Sequence, residues 1–209
     1  MNRNGLLARA GIGAAGAMLL TAVAGAAIAD EVDQDNVDIN VEIAEVPPVG
    51  ALTMSVAADS TTLTEVDSGD PDIRQFNGTL PTVTVSDDRE EVPEDVFWYV
   101  TGQSSAFSSD DAGATDLPAG HLGWTPEVTD EDGTGAVAAG DEVLTVLDEG
   151  PNAVGLVAEE LLALSLDSQE ASVQGEWEAS ADLFLKTPVD VAPGSYEATL
   201  TLTLWEDEL

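Results

Sequence analysis

Apolar and polar residues alternate with a period of two along most of the chain beyond residue 37. In "DINVEIAEV" (38–46), Ile39, Val41 and Ile43 share one face, with acidic residues and Asn40 on the other. That is the pattern of a strand with one side in the core and one in water. It recurs in "ALTMSVA" (Leu52, Met54, Val56), "PTVTVSD" (Val83, Val85), "VFWYVT" from Val96 and "EVLTVLD" from Glu142. It is clearest in "SYEATLTLTLWEDEL", where Tyr196, Ala198, Leu200, Leu202 and Leu204 oppose Glu197, Thr199, Thr201 and Thr203. Turn-forming clusters, "VPPVG", "DSGDP" and "EDGTG", separate these runs. Short strands divided by turns predict an all-β fold, an antiparallel β-sandwich in a single domain. A short helix is compatible only with residues around 154–165, in "PNAVGLVAEELLALSLDS", where repeated leucines leave helix and strand both open.

The first residues differ in kind. Arg3 and Arg9 precede a Gly/Ala/Leu run that ends in Ala27-Ile28-Ala29, the pattern of a cleavable secretory signal peptide. The run falls short of the ~20 residues that span a bilayer, so no transmembrane segment is expected in the mature chain. The expected organisation is a signal peptide at 1–29, a loose acidic stretch at 30–37 ("DEVDQDNV") and a sandwich domain at 38–209, all secreted. No cysteine is present, so packing rather than disulfides must hold the fold.

Charge narrows the partners. The net charge is −36, and the signal carries two arginines and no acid, so the remainder is near −38 (−36 less 2). Such a surface repels phosphate backbones and anionic lipid, which excludes nucleic acid. The acidity serves either as a solvated surface, of a kind suited to a salty medium, or as a source of calcium ligands. The Asp-rich turns offer hard oxygens at Asp67, Asp70 and Asp72 and at Asp130 and Asp132, with a further run in "DQDNVD". None has the spacing of a helix-loop-helix calcium loop, which favours solvated turns, with Ca2+ as the one cofactor to consider.

Catalysis finds little support. The lone histidine, His121, lies in "AGHLGWTPEVTD" without a G-x-S-x-G or H-E-x-x-H motif. The carboxylate pairs Glu90–Glu91, Glu94–Asp95 and Glu159–Glu160 are what chance adjacency gives among 41 acids. A hydrolase that uses two carboxylates across a cleft is the least favoured reading. Leu122 and Trp124 alternate, so both side chains are expected inward. Arg89 follows "SDD", which points to a hydrogen-bonded turn.

The order of the segments "GALTMSV", "FNGTLPTVTVSDDR", "FWYVTGQSSAF", "HLGWTPEV" and "LKTPVDVAPGSYEATLTLTL" resembles the WxL-type surface proteins of Gram-positive bacteria, in a form similar to those secreted by actinobacteria. The resemblance covers most of residues 38–204. That family is marked by a Trp-containing central strand and a G-x-Y-x-x-T-L-T-[aromatic]-x-L strand at the C-terminus. Trp124 and the run from Gly194 to Leu204 stand in those places. Residues 124–126 read Trp-Thr-Pro rather than Trp-x-Leu, and Leu202 stands where the second tryptophan would be, so the resemblance speaks more for fold than for binding.

The resemblance implies a non-catalytic protein held non-covalently at the cell wall, with peptidoglycan or another wall glycan as ligand and other surface proteins as partners. An anionic wall repels an anionic chain, so attachment calls for sugar stacking on aromatics, hydrogen bonds to hydroxyls, or a bridging divalent cation. The aromatics expected at the ligand are Trp98, Tyr99, Trp124 and Trp177. The alternative is a calcium-dependent surface adhesion or assembly protein that binds another protein.

Overall fold

A computed structural model describes residues 50–111, 113–129 and 133–209. The expected signal peptide, the acidic stretch at 30–37, the strand at 38–46, and Asp130 and Asp132 all lie outside the described residues. The strands in chain order are β1 (Leu52–Val56), β2 (Thr64–Val66), β3 (Ile73–Thr79), β4 (Val83–Asp87), β5 (Val96–Ser104), β6 (Leu122–Thr129), β7 (Ala138–Ala139), β8 (Glu160–Ser165), β9 (Glu176–Pro188) and β10 (Leu200–Glu208). They form two antiparallel sheets, and the all-β sandwich expected from the alternation is what the chain adopts.

The long strand β9 organises the six-stranded sheet. Its inward positions, Trp177, Ala179, Ala181, Leu183 and Leu185, are all buried. Strand β6 pairs along one side of it, from Leu122↔Leu185 to Thr129↔Glu178. The other side is shared by β4, through Val83↔Ala179, and β3, through Phe76↔Leu185. The four-stranded sheet has the order β10-β5-β8-β7.

The indole of Trp124 fills the space between the sheets and is 0% exposed. It fits because β5 carries Gly102 at that point: a Cβ there would lie 2.6 Å from the Trp124 Cη2 atom. Backbone bonds fasten the sheets at the same end, with Leu156 N–H donating to Leu122 O (3.0 Å) and Ser104 N–H to Leu156 O (2.9 Å).

Several local expectations change. Residues 160–165 are strand β8, not helix, because Leu162 and Ala163 are needed in the core beside β5. The single α-helix among the described residues follows it at Ser168–Ser172, capped by Asp167, whose Oδ1 accepts the Gln169 and Glu170 N–H groups at 2.9 and 3.1 Å. "EVLTVLD" contributes isolated bridges at Val143 and Leu144 in place of a strand. Strand β10 begins at Leu200, and Ala198 is exposed. Leu200, Leu202 and Leu204 do face the core but are only half-buried, since β10 is an edge strand paired with β5 alone among the described residues. No described helix is long and apolar enough to cross a membrane.

Replacing the central ring or filling its seat tests this arrangement. Trp124→Ala is expected to lower unfolding free energy by roughly 3–5 kcal/mol. Gly102→Ala, which pushes a methyl into the indole, is expected to cost about 1–3 kcal/mol. Urea denaturation followed by far-UV circular dichroism measures both, and a Gly102→Ala midpoint equal to that of the parent would show the contact is not tight.

Candidate functional site

The outward face of the four-stranded sheet carries the site. Along β5 the core takes Trp98, Val100, Gly102 and Ser104, which leaves Phe97, Tyr99, Thr101 and Gln103 on the other side. On β10 the same alternation turns Thr201, Thr203, Trp205 and Asp207 outward. Register then sets Trp205 across from Tyr99, Asp207 across from Phe97 and Thr203 across from Thr101.

Three rings form a ladder on this face. Phe97 and Tyr99 have centroids 5.8 Å apart with planes 18° from parallel, and Tyr99 and Trp205 are at 6.3 Å and 20°. These are offset-stacked geometries, favourable beyond the area they bury. A polar chain pins the end of the ladder: Trp205 Nε1 donates to Thr101 Oγ1 (3.1 Å), and the Thr101 hydroxyl donates to Glu159 Oε2 (3.1 Å). Leu164 of β8 stands beside Tyr99 on its other side. The indole is fixed in direction yet 40% exposed.

Of the four aromatics expected at the ligand, only Tyr99 lies on this face. Trp98 (1% exposed), Trp124 (0%) and Trp177 (4%) are packed in the core and offer no ring face to a ligand, and the Trp177 indole N–H is taken by Ala171 O at 3.0 Å. An all-β core without disulfides needs such volumes, and the inward parity of these positions decides their fate. Phe97 and Trp205 were not foreseen at the site. The signal for Trp205 was present in "LTLTLWEDEL", where it falls in phase with the threonines and not with the leucines.

The acidic turns are occupied with their own backbone. Asp67 Oδ1 accepts the Gly69 N–H and Asp70 Oδ1 the Asp72 N–H, both at 2.9 Å, and Asp67, Asp70 and Asp72 are exposed. Among the described residues no group of three or more His, Asp or Glu is placed to hold a metal ion. Glu90, Glu91 and Glu94 line an open hollow with Gln169, and all three are exposed.

The cations are spent on structure. Arg74 pairs with Glu65 at 2.8 Å, Arg89 with Asp87 at 2.6 Å and Glu206 at 2.7 Å, and Lys186 with Asp148. His121 sets Nδ1 2.7 Å from the Lys186 carbonyl oxygen, a structural contact beside the same pair. The Arg89 bridge joins the end of β4 to β10, and so ties the two sheets. Burial pushes the Asp87 carboxyl up, but the Arg89 hydrogen bonds and charge outweigh it and hold the group below its ordinary 3.8. Asp148 is lowered similarly, with Lys186 and Thr145 outweighing burial.

Compared with family models, curated proteins and solved structures, the chain matches none.

A carboxylate depressed by folding contributes stability that is present above its unfolded value and lost as pH falls through its folded value. Stability is therefore expected to fall as the pH drops below 3.8, the ordinary aspartate value. Arg89→Ala is expected to lose on the order of 2 kcal/mol at neutral pH, less than the ~3–5 kcal/mol of a fully buried pair because Glu206 stays in water. The variant should also show a shallower acid slope. Urea midpoints measured from neutral to acid pH check both, and parallel curves for parent and variant would remove Arg89 from this role.

Proposed function

We propose that the chain is a secreted, non-catalytic cell-surface module that associates non-covalently with cell-wall glycan through the outer aromatic face. The observation that carries this is the ladder Phe97–Tyr99–Trp205, in which half-buried Phe97 and Tyr99 lead to an exposed Trp205 pinned by Thr101, on a sheet face that ordinarily carries polar residues. Sugars offer C–H faces that stack on such rings, and a pinned indole loses little freedom when they do. With Arg74, Arg89 and Lys186 all paired, no described cation is left to grip a phosphate or carboxylate, so stacking is the better route to the wall. The resemblance to WxL-type proteins supports the same location and ligand.

Co-sedimentation of the purified chain with Gram-positive sacculi, stripped of teichoic acid and kept in chelator, tests the reading. Trp205→Ala is expected to weaken binding about tenfold, the equivalent of roughly 1.4 kcal/mol. Undiminished binding by this variant would remove the aromatic face from the function. Binding abolished by chelator would favour the calcium-bridged alternative.

A further inference from the structure

Resting on that reading, we infer that the glycan taken by the aromatic face bears free amines: an amino-sugar chain with unsubstituted, protonated amino groups. Carboxylates flank the ladder at both ends. Asp207 stands across from Phe97, and Glu159 reaches the Trp205 end through the Thr101 hydroxyl. Both are exposed. Neither has a cationic partner among the described residues: Asp207 Oδ1 accepts the Glu208 N–H at 2.9 Å, and Arg74, Arg89 and Lys186 are engaged with Glu65, with Asp87 and Glu206, and with Asp148.

Phe97 and Thr101 are four positions apart on β5, about 13 Å at ~3.3 Å per residue, the reach of a short oligosaccharide laid along the strand. Ammonium groups along such a chain meet the exposed part of the Trp205 ring and a carboxylate at one end or the other, two attractions of one sign. An N-acetylated chain stacks on the same rings without the charge term. A uronic acid is repelled by both carboxylates and by the field of a chain at −36. The ladder supplies the binding, and the flanking carboxylates choose the charge class.

Short β-1,4-linked oligomers of glucosamine and N-acetylglucosamine, with an α-1,4-linked galacturonic acid oligomer expected to bind most weakly, titrated against the full chain and followed by tryptophan fluorescence, test the inference. Trp98, Trp124 and Trp177 are buried, so a ligand-dependent change reports Trp205. The glucosamine oligomer is expected to bind roughly three- to tenfold more tightly than its N-acetylated counterpart, as one exposed cation–π contact plus one surface ion pair allows. Added salt should shrink that preference. Asp207→Asn, which lies outside the hydrogen bonds that pin Trp205, should shrink it while retaining affinity for the N-acetylated oligomer. Equal, Trp205-dependent affinity for both oligomers would overturn the amine inference and leave the glycan-binding face standing. Glucosamine binding that is unchanged in Trp205→Ala reflects attraction to the bulk charge and also overturns it. Failure of every oligomer to bind would remove the proposed function along with the inference.

Discussion

The indole of Trp124 resting on the bare backbone of Gly102 is the contact on which the two sheets are set. A chain without cysteine has only packing to bring two layers together, and burying one tryptophan supplies on the order of 4–6 kcal/mol from its 150–250 Å² of surface. A glycine inside a strand is ordinarily unfavourable by about 0.5–1 kcal/mol. Here it gives the ring its seat. The fit is incomplete in one respect, since the Trp124 Nε1 is buried with no hydrogen-bond partner among the described residues, which offsets part of the gain by roughly 1–3 kcal/mol. This contact also fixes the parity of β5, because Gly102 must face inward. Trp98 and Val100 follow it into the core, and Phe97, Tyr99 and Thr101 are thereby turned to the outer face, where Phe97 and Tyr99 are half-buried and Thr101 is covered. The outer face is a consequence of the inner one.

Charge imposes the second constraint. At −36 the folded chain gathers acids that repel one another, and repulsion is screened only beyond about 8–10 Å in ordinary salt. Two of the described cations, Arg89 and Lys186, sit against part-buried carboxylates, while Arg74 pairs at the surface with Glu65. Asp87 and Asp148 are each held against a cation, and each bridge ties segments distant in sequence: Arg89 reaches Glu206, and Lys186 reaches Asp148. The surface turns need no such help, because Asp67 and Asp70 turn their oxygens onto local N–H groups in water.

The class of fold was legible because period-two alternation survives in β1, β4, β5 and β10, where large apolar residues mark one face. It was hard to see in β9, the centre of its sheet, where Ala179 and Ala181 sit at core positions between polar neighbours and dilute the apolar signal. The segment that became β8 carries consecutive leucines, and the extra residue in its pairing with β5, between Val100 and Thr101, breaks the alternation that would have declared it a strand. For the site, Tyr99 was found by residue type and Trp205 was readable by parity. What linear order does not reveal is the pairing of β10 with β5, which places two rings 106 residues apart in sequence (Tyr99 to Trp205) on adjacent strands. Until that register is known, Trp98 and Tyr99 are equally good candidates for a surface ring. Afterwards only Tyr99 has a place on the outer face.

A structural role alone does not account for the outer ladder. Cross-strand aromatic pairs hold strands together by about 0.2–1 kcal/mol, and Tyr99 with Trp205 does this for the edge strand β10. Yet β10 already makes a nine-residue ladder with β5, is clasped by Arg89 at Glu206, and sends three leucines toward the core. At Thr201 and Thr203 the same face of the same strand is served by threonine. A large ring left 40% exposed at the next outward position adds more apolar surface to water than strand pairing requires. Its Nε1 is fixed to Thr101, so that surface is presented in one orientation instead of many. An exposed ring that is also held still is what a stacking ligand gains most from, since the ordering is complete before the ligand arrives.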